Sequence, residues 1–527
     1  MTTMERAKFM VLPGAWLLAS VVAAMSVALA VWWGGVNQDE GWYLYAARLV
    51  GEGKVPYRDF FFTQGPVLPY VYSVMPVHGL LSGRLVTLAF SALSVLAAIA
   101  FARSLVAKEH RAAVSLTVFA VLACNPYHMY FTSIPKTYAL GTLFVMFGFL
   151  FLSRGFNFFS AVSFAFASGT RISLVLLLGV AGIWLMVARF RLFHWLWFGL
   201  GGVFGLFLVY GFFAVDPPSL KGLLAAQAYH AGRGGFDPFF AVGAVSRLAR
   251  GYLAMGAVMF AAIALAWNGK GMHRPGEVRA WSVGFRRMAA FGFAAVFLLQ
   301  LSAPFPYDDY QVPLMPLLAV LVAVPFANAT ARFGGAMRFL FPVLVSGMCA
   351  FASPLIQDWM TNGQDRFWSL KKEKSELSQM RDVARRLEAM DPGGTMLLTQ
   401  DLYLAVEMER KVPEGLEMGP FSYFPHLSAA EAESANVMNT GRMKNLLRSA
   451  PCRLAAFSGY GFAIEVPEGS ETPKSVQDGF RAALGEKYRK VDSIPNFGQN
   501  HTTLDCFVRR DVSVSGTDGC TAAGEAE

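Results

Sequence analysis

The chain has 527 residues, of which 55% are hydrophobic, 14% aromatic and only 15% charged, and its mean hydropathy is +0.42. Soluble globular proteins carry roughly a quarter charged residues, so an ordinary soluble enzyme is excluded; the high apolar fraction and five cysteines also exclude disordered, collagen-like and disulfide-scaffold chains. A net charge of +9 would suggest nucleic acid if it sat on a soluble body, but its placement along the chain argues otherwise.

A helix that crosses a bilayer needs about 17–25 mostly apolar residues. Eleven apolar runs qualify, some only with their flanks: 14–34, 83–106, 112–124, 136–152, 157–168, 172–188, 195–215, 251–267, 288–303, 312–327 and 336–353. The apolar stretch 66–80 holds three prolines and reads as a juxtamembrane or re-entrant segment rather than a span. These runs predict a polytopic α-helical membrane domain over residues 1–353 with about 11 spans. Residues 354–512 read as a soluble α/β domain, with a charged amphipathic helix over 364–390 and strands at 395–399, 454–458 and 502–509. Residues 513–527 read as a disordered Gly/Ser/Ala tail.

Charge sets the expected orientation. With the N-terminus inside, the cytoplasmic pieces carry 15 Lys/Arg against three acids, Glu5, Glu109 and Glu277, which is the positive-inside bias. Residues 1–353 hold 25 basic and 11 acidic residues, net +14, and the remainder 20 and 25, net −5. The basic balance is therefore a topology signal, no nucleic-acid partner is expected, and the C-terminal domain is expected outside the cytoplasmic (inner) membrane. The first apolar run ends in Trp32-Trp33 and is followed by further spans, as in a retained signal anchor. In an oxidising exterior Cys452 and Cys506 are either bonded or free; Cys124 and Cys349 lie in spans as packing residues.

After the first span come Asn37-Gln38-Asp39-Glu40-Gly41-Trp42-Tyr43, then Arg58-Asp59-Phe60-Phe61-Phe62-Thr63-Gln64-Gly65-Pro66. Two adjacent carboxylates at the mouth of a span can take a proton from an acceptor hydroxyl while a sugar leaves a phosphate. Asp39 also fits as the N-cap of a helix from Glu40 onward. Residue types alone leave both roles open.

The block from Asp39 to Pro66 resembles the first external loop of GT-C fold membrane glycosyltransferases, above all bacterial relatives of the protein O-mannosyltransferases and the lipid A aminoarabinose transferase. That resemblance implies a sugar donor on a polyprenyl-phosphate carrier at the outer face of the cytoplasmic membrane. It implies Asp39 as general base, with Glu40 supporting it or positioning a substrate. Gly169-Thr170-Arg171 resembles the family's Gly-x-Thr-Lys/Arg, and Tyr310 to Pro316 its Pro-rich entry to a late span. Relatives often have Lys-Pro where this chain has Gln64-Gly65-Pro66, so another cation must meet the phosphate, and Gln64 stands at that place as a donor contact.

Candidate donor ligands are the cations and hydrogen-bond donors among apolar runs. Arg171 is either a phosphate ligand or a structural or snorkelling Arg; Lys136 either binds phosphate or marks the interface. His230 and Arg233 lie in a Gly-rich external loop and either hold phosphate or are incidental polar residues of a flexible loop; Tyr310 can donate a hydrogen bond to phosphate. Arg84, at the start of a span, reads as an interface anchor. Asp308 and Asp309 either bind an acceptor, a donor sugar or a divalent cation, the only cofactor the residues suggest, or belong to a solvated loop. The segment 415–423 is either a substrate-facing loop or a turn. The Gly-rich 199–205 lies inside a span and reads as helix packing; there is no Walker loop, His-Glu-x-x-His or Cys-x-x-Cys. A glycosyltransferase acting on a lipid, glycan or protein acceptor is the expected function. A transporter or flippase of a lipid-linked glycan is the alternative.

Overall fold

The computed structural model describes residues 3–188, 192–231, 235–267, 277–330, 336–362, 372–467 and 469–512. The tail at 513–527 and residues 364–371 of the expected amphipathic helix lie outside these. The first helix, α1 (Thr3–Ala28), runs into a π-helical turn, Leu29–Trp33. The external α2 (Gln38–Gly51) and the short α3 (Val67–Ser73) follow, then α4 (Gly79–Ser104), α5 (Arg111–Ala123), α6 (Pro126–Ser133), α7 (Thr137–Ser153) and α8 (Asn157–Ser168). The helical part continues through α9 (Val175–Ala188), α10 (Leu192–Val215), α11 (Pro217–Ala231), α12 (Pro238–Gly251), α13 (Leu253–Trp267) and α14 (Glu277–Leu301). It ends with α15 (Met315–Ala329), α16 (Met337–Ala352) and α17 (Pro354–Asn362).

All eleven apolar runs fall on helices, but the count of eleven spans is not reached. Among the described residues six helices are long and apolar enough to cross a membrane, or up to eight if the bent pairs α5–α6 (70°) and α12–α13 (80°) each form one span. Three runs are shorter helices, Thr137–Ser153, Asn157–Ser168 and Ile172–Ala188. The α5–α6 bend has a local cause: Asn125 caps α6 with its side chain, and Pro126 follows at the first helical position; the α12–α13 bend falls at Gly251 and Tyr252, where α12 ends. Segment 66–80 holds only the seven-residue α3, too short to span. Val187, Val203, Phe207, Val215, Phe239 and Phe260 are exposed on α9–α13, a spread of large apolar side chains that fits a lipid-covered surface.

The boundary drawn at 353/354 falls at Ser353, extended between α16 and α17. Trp359 of α17 stacks on Tyr127 of α6, so α17 lies on the helical part. The C-terminal domain contains α18 (Glu376–Met390), α19 (Leu402–Glu407), α20 (Ala429–Ser434), α21 (Thr440–Ser449) and α22 (Lys474–Lys487). Its strands β1 (Leu398–Thr399), β2 (Leu454–Phe457), β5 (Tyr488–Phe497) and β6 (Thr502–Arg509) form one sheet in the order β1-β2-β6-β5; β3 (Ile464–Glu465) and β4 (Ser470–Glu471) form a separate hairpin. Only β1–β2 is parallel within the larger sheet. Cys506 faces Ala456 across the ladder, four residues along from Cys452, and both cysteines are free. At about 3.4 Å per residue that offset is beyond disulfide reach.

Apolar packing joins the parts. One buried cluster unites α1, α4–α10 and α12–α17. A second includes Tyr43, Leu44 and Tyr45 of α2, Phe60 and Phe62 of the first external loop, and Leu377, Leu402, Leu454 and Leu504 of the C-terminal domain. Thus α2 belongs to the same core as the domain more than three hundred residues away.

Candidate active site

The local sequence Asn37-Gln38-Asp39-Glu40 decides how the first external helix begins. Asn37 is the N-cap: its side chain accepts from Asp39 N, and Glu40 Oε1 accepts from Asn37 N at 2.8 Å, a reciprocal capping box. Asp39 is therefore not the cap, and its carboxylate is free to face the site. Lys136, extended at the start of α7, meets it, with Nζ 2.7 Å from Asp39 Oδ2 and 2.8 Å from Asp309 Oδ2. Tyr138 OH donates to the same Asp309 oxygen at 2.9 Å. Lys136 is thus a buried bridge between two carboxylates from distant segments.

Arg171 lies beside this bridge. Its guanidinium sits 5.1 Å from the Tyr138 ring centroid and 4.6 Å from that of Tyr310, a cation–π arrangement with two rings. Its Nε is shielded from solvent and has no hydrogen-bond partner among the described residues. An unmatched donor on a planar guanidinium suits an anionic oxygen. Tyr43, one helical turn after Asp39, is 4% exposed. Burial and then the Asp39 charge push its phenol well above the ordinary range, so it stays a hydrogen-bond donor at neutral pH.

The Arg171 segment is held against the first external loop by a close backbone approach. Val67 N donates to Gly169 O at 3.0 Å, and a Cβ on Gly65 would stand 2.2 Å from that carbonyl oxygen. Gln64-Gly65-Pro66 and Gly169-Thr170-Arg171 are therefore packed together. The Gln64 carbonyl accepts from Tyr57 OH. Directly beyond Pro66 opens a cavity of about 590 Å³, lined by Val67, Tyr70, Val74, Phe166, Leu208 and Phe212 among others.

Other expected site residues separate. Glu40 does not join Asp39: its carboxylate takes Arg84 Nε at 2.9 Å and Nη2 at 2.7 Å, and both side chains are fully buried. Arg84 spends its remaining donors on the carbonyls of Val31, Gly34 and Gly35, so it is a buried clamp and not an interface anchor. Asp308 accepts from Tyr127 OH, whereas Asp309 accepts from Lys136 and Tyr138, so the two acids have different partners. Among the described residues no group of three or more His, Cys, Asp or Glu side chains could hold a metal ion. His230 lies in the last turn of α11 with its side chain outside the described part, and Arg233 lies outside the described residues altogether. Gly419–Ser422 is a 3₁₀ turn whose Phe421 packs edge-on against Trp42 of α2, centroids 4.8 Å apart.

Sequence reading missed Tyr43 and Tyr138. Each carries a positional signal: Tyr43 stands four residues after Asp39 on one helix, and Tyr138 two after Lys136.

No protein-family model matches the chain, and no curated protein matches it. Solved structures do. The crystal structure of ArnT from Cupriavidus metallidurans bound to undecaprenyl phosphate is similar with TM-score 0.56 and 13% identity, over 94% of this chain and 98% of that one. Its apo form gives 0.54 and 12% over the same shares. An Archaeoglobus fulgidus oligosaccharyltransferase in the apo form overlaps more loosely, with TM-score 0.44 and 10% identity over 84% of this chain and 69% of that one. Helical part and C-terminal domain together therefore take the fold of ArnT, the GT-C fold that the first external loop resembles.

Proposed function

We propose that this protein is a membrane glycosyltransferase that moves a sugar from a polyprenyl-phosphate carrier to an acceptor hydroxyl or amine at the outer face of the cytoplasmic membrane. The carrying observation is the convergence of Asp39, Lys136, Asp309, Arg171 and Tyr310, with the Arg171 segment bonded through Gly169 to Val67 of an apolar cavity. Undecaprenyl phosphate in the structurally similar ArnT supports this class of carrier.

In this reaction the acceptor attacks the anomeric carbon, the bond to the phosphate oxygen breaks, and polyprenyl phosphate leaves with the bonding electrons. The acceptor's proton goes to Asp39, whose carboxylate is the general base. Lys136 orients that carboxylate through its Nζ, while Asp309 and Tyr138 fix the ammonium. Arg171, with Tyr43 and Tyr310 nearby, stabilises charge building on the leaving phosphate. The cavity beyond Pro66 suits the first isoprene units. The basic balance of the loops read as cytoplasmic and the acidic balance of the C-terminal domain support a site on the outer face, away from cytoplasmic nucleotide sugars.

The test is purified protein supplied with a panel of radiolabelled undecaprenyl-phosphate sugars, following released undecaprenyl phosphate. Turnover of at least one donor supports the assignment. Translocation of a donor across proteoliposomes without bond cleavage would overturn it in favour of a flippase.

A further inference from the structure

We propose that the C-terminal domain sets the position of Asp39, with Glu376, Gln499 and Asp401 as positioning residues acting through residues 36–38. This rests on Asp39 being the general base. The backbone leading into α2 is held by the domain at successive points. Val36 N donates to Glu376 Oε2 at 2.8 Å, and Gln38 N donates to Gln499 Oε1 at 2.8 Å. The Gln38 side chain donates to Asp401 Oδ1 at 3.4 Å and to Tyr403 OH at 3.3 Å.

The holding groups are themselves fixed. Asp401, 1% exposed, accepts from Ser458 N, Ser458 Oγ and Tyr403 OH, each at 2.8 Å. Glu376, 4% exposed, accepts from Lys372 Nζ at 3.2 Å and pairs with His501 at 3.2 Å. Buried carboxylates are costly unless their lone pairs are used, and here part of that capacity goes to an element outside the domain. One turn into α2, a Cβ on Gly41 would stand 2.4 Å from Tyr403 N, so glycine lets the helix seat on α19. From the opposite side Arg84 grips Gly34 and Gly35. Residues 34–41 are clamped between the helical part and the C-terminal domain, and the Asp39 carboxylate projects to Lys136.

A general base must lie within hydrogen-bond reach of the proton it takes, and a displacement near 1 Å can cost about 100-fold in rate. The Glu376→Ala/Gln499→Ala protein removes both of the C-terminal domain's acceptors for the 36–38 backbone and leaves Glu40 as the acceptor for Asn37 N. We expect amide exchange over residues 35–41 to accelerate about tenfold or more. We also expect kcat to fall about 10- to 100-fold at little-changed donor KM, measured with the undecaprenyl-phosphate sugar that wild type turns over. The Glu376→Gln/Gln499→Glu protein keeps an acceptor oxygen at each place and should recover both readouts. Leu447→Ala, a truncation in the domain core, should leave both near wild type.

Unchanged exchange over 35–41 in the double alanine protein would overturn the inference. So would an equal loss of kcat in Leu447→Ala, since the domain would then act only through its stability. An inactive Asp39→Asn protein beside a fully active double alanine protein would remove the positioning role and leave the base in place. Normal turnover by Asp39→Asn would remove both.

Discussion

Replacing Glu40 with Gln takes one charge from a pair in which both side chains are 0% exposed. Two charge-assisted hydrogen bonds, at 2.7 and 2.9 Å, lose their carboxylate, and the Arg84 guanidinium stays buried with only carbonyl partners. Breaking a buried pair from one side costs about 3–5 kcal/mol. The amide oxygen of Gln can still accept from Asn37 N, now 2.8 Å from Glu40 Oε1. Glu40→Ala should therefore cost about 1 kcal/mol more, the worth of the cap. Arg84→Met should fall in the same range, and Glu40→Leu/Arg84→Met should regain most of the loss. Thermal unfolding of detergent-solubilised protein measures the series. A Glu40→Gln protein as stable as wild type but unable to transfer sugar would refute the structural role and put Glu40 in the chemistry.

Arg171→Lys keeps a positive charge but loses the planar fork that lies between Tyr138 and Tyr310; donor KM should rise about tenfold, and more for Arg171→Met, in steady-state transfer assays. Gly65→Ala puts a methyl 2.2 Å from Gly169 O, so it should cost about 1–3 kcal/mol in melting experiments and weaken donor binding by shifting Gln64 and Pro66. Glu417, 7% exposed, has its carboxyl pushed by burial from 4.5 up to about 7. Its folded state holds the proton more tightly, so its contribution is fully present below about pH 4.5 and is lost as pH rises through about 7, some 3 kcal/mol in all. Glu417→Gln should flatten the decline in melting temperature over that window; an undiminished decline would assign it to other groups.

The candidate site was legible where chemistry had to sit in an unfavourable place. Lys136 and Arg171 are cations among apolar runs, and the structure brings both to Asp39, Asp309 and Tyr310. Glu40 and Arg84 were misread because their partnership spans 44 residues of sequence, invisible to local pattern. The true cap was readable: Asn37-x-x-Glu40 is a capping-box spacing, and it displaces Asp39 from that role. Every apolar run of the sequence falls on a helix, but the count of eleven spans is not reached, since helices of 12 to 17 residues and bends between neighbours leave six to eight candidate crossings among the described residues. In the C-terminal domain β6 was read at its observed bounds. Its partner β5 was missed because it is an edge strand with charged residues, Pro495 and two register shifts. The clamp on residues 36–38 joins groups up to 461 residues apart, and no spacing rule foretells it.

The central claim is that Asp39 takes the acceptor's proton. Asp39→Asn keeps the size of the side chain and an oxygen for Lys136 Nζ, now 2.7 Å from Asp39 Oδ2, but abolishes the base. The measurement is transfer of label from an undecaprenyl-phosphate sugar by wild type and Asp39→Asn, with binding of undecaprenyl phosphate followed in parallel. We predict a loss of about 100- to 10,000-fold in kcat with undecaprenyl phosphate binding retained. Transfer by Asp39→Asn at the wild-type rate would contradict the account.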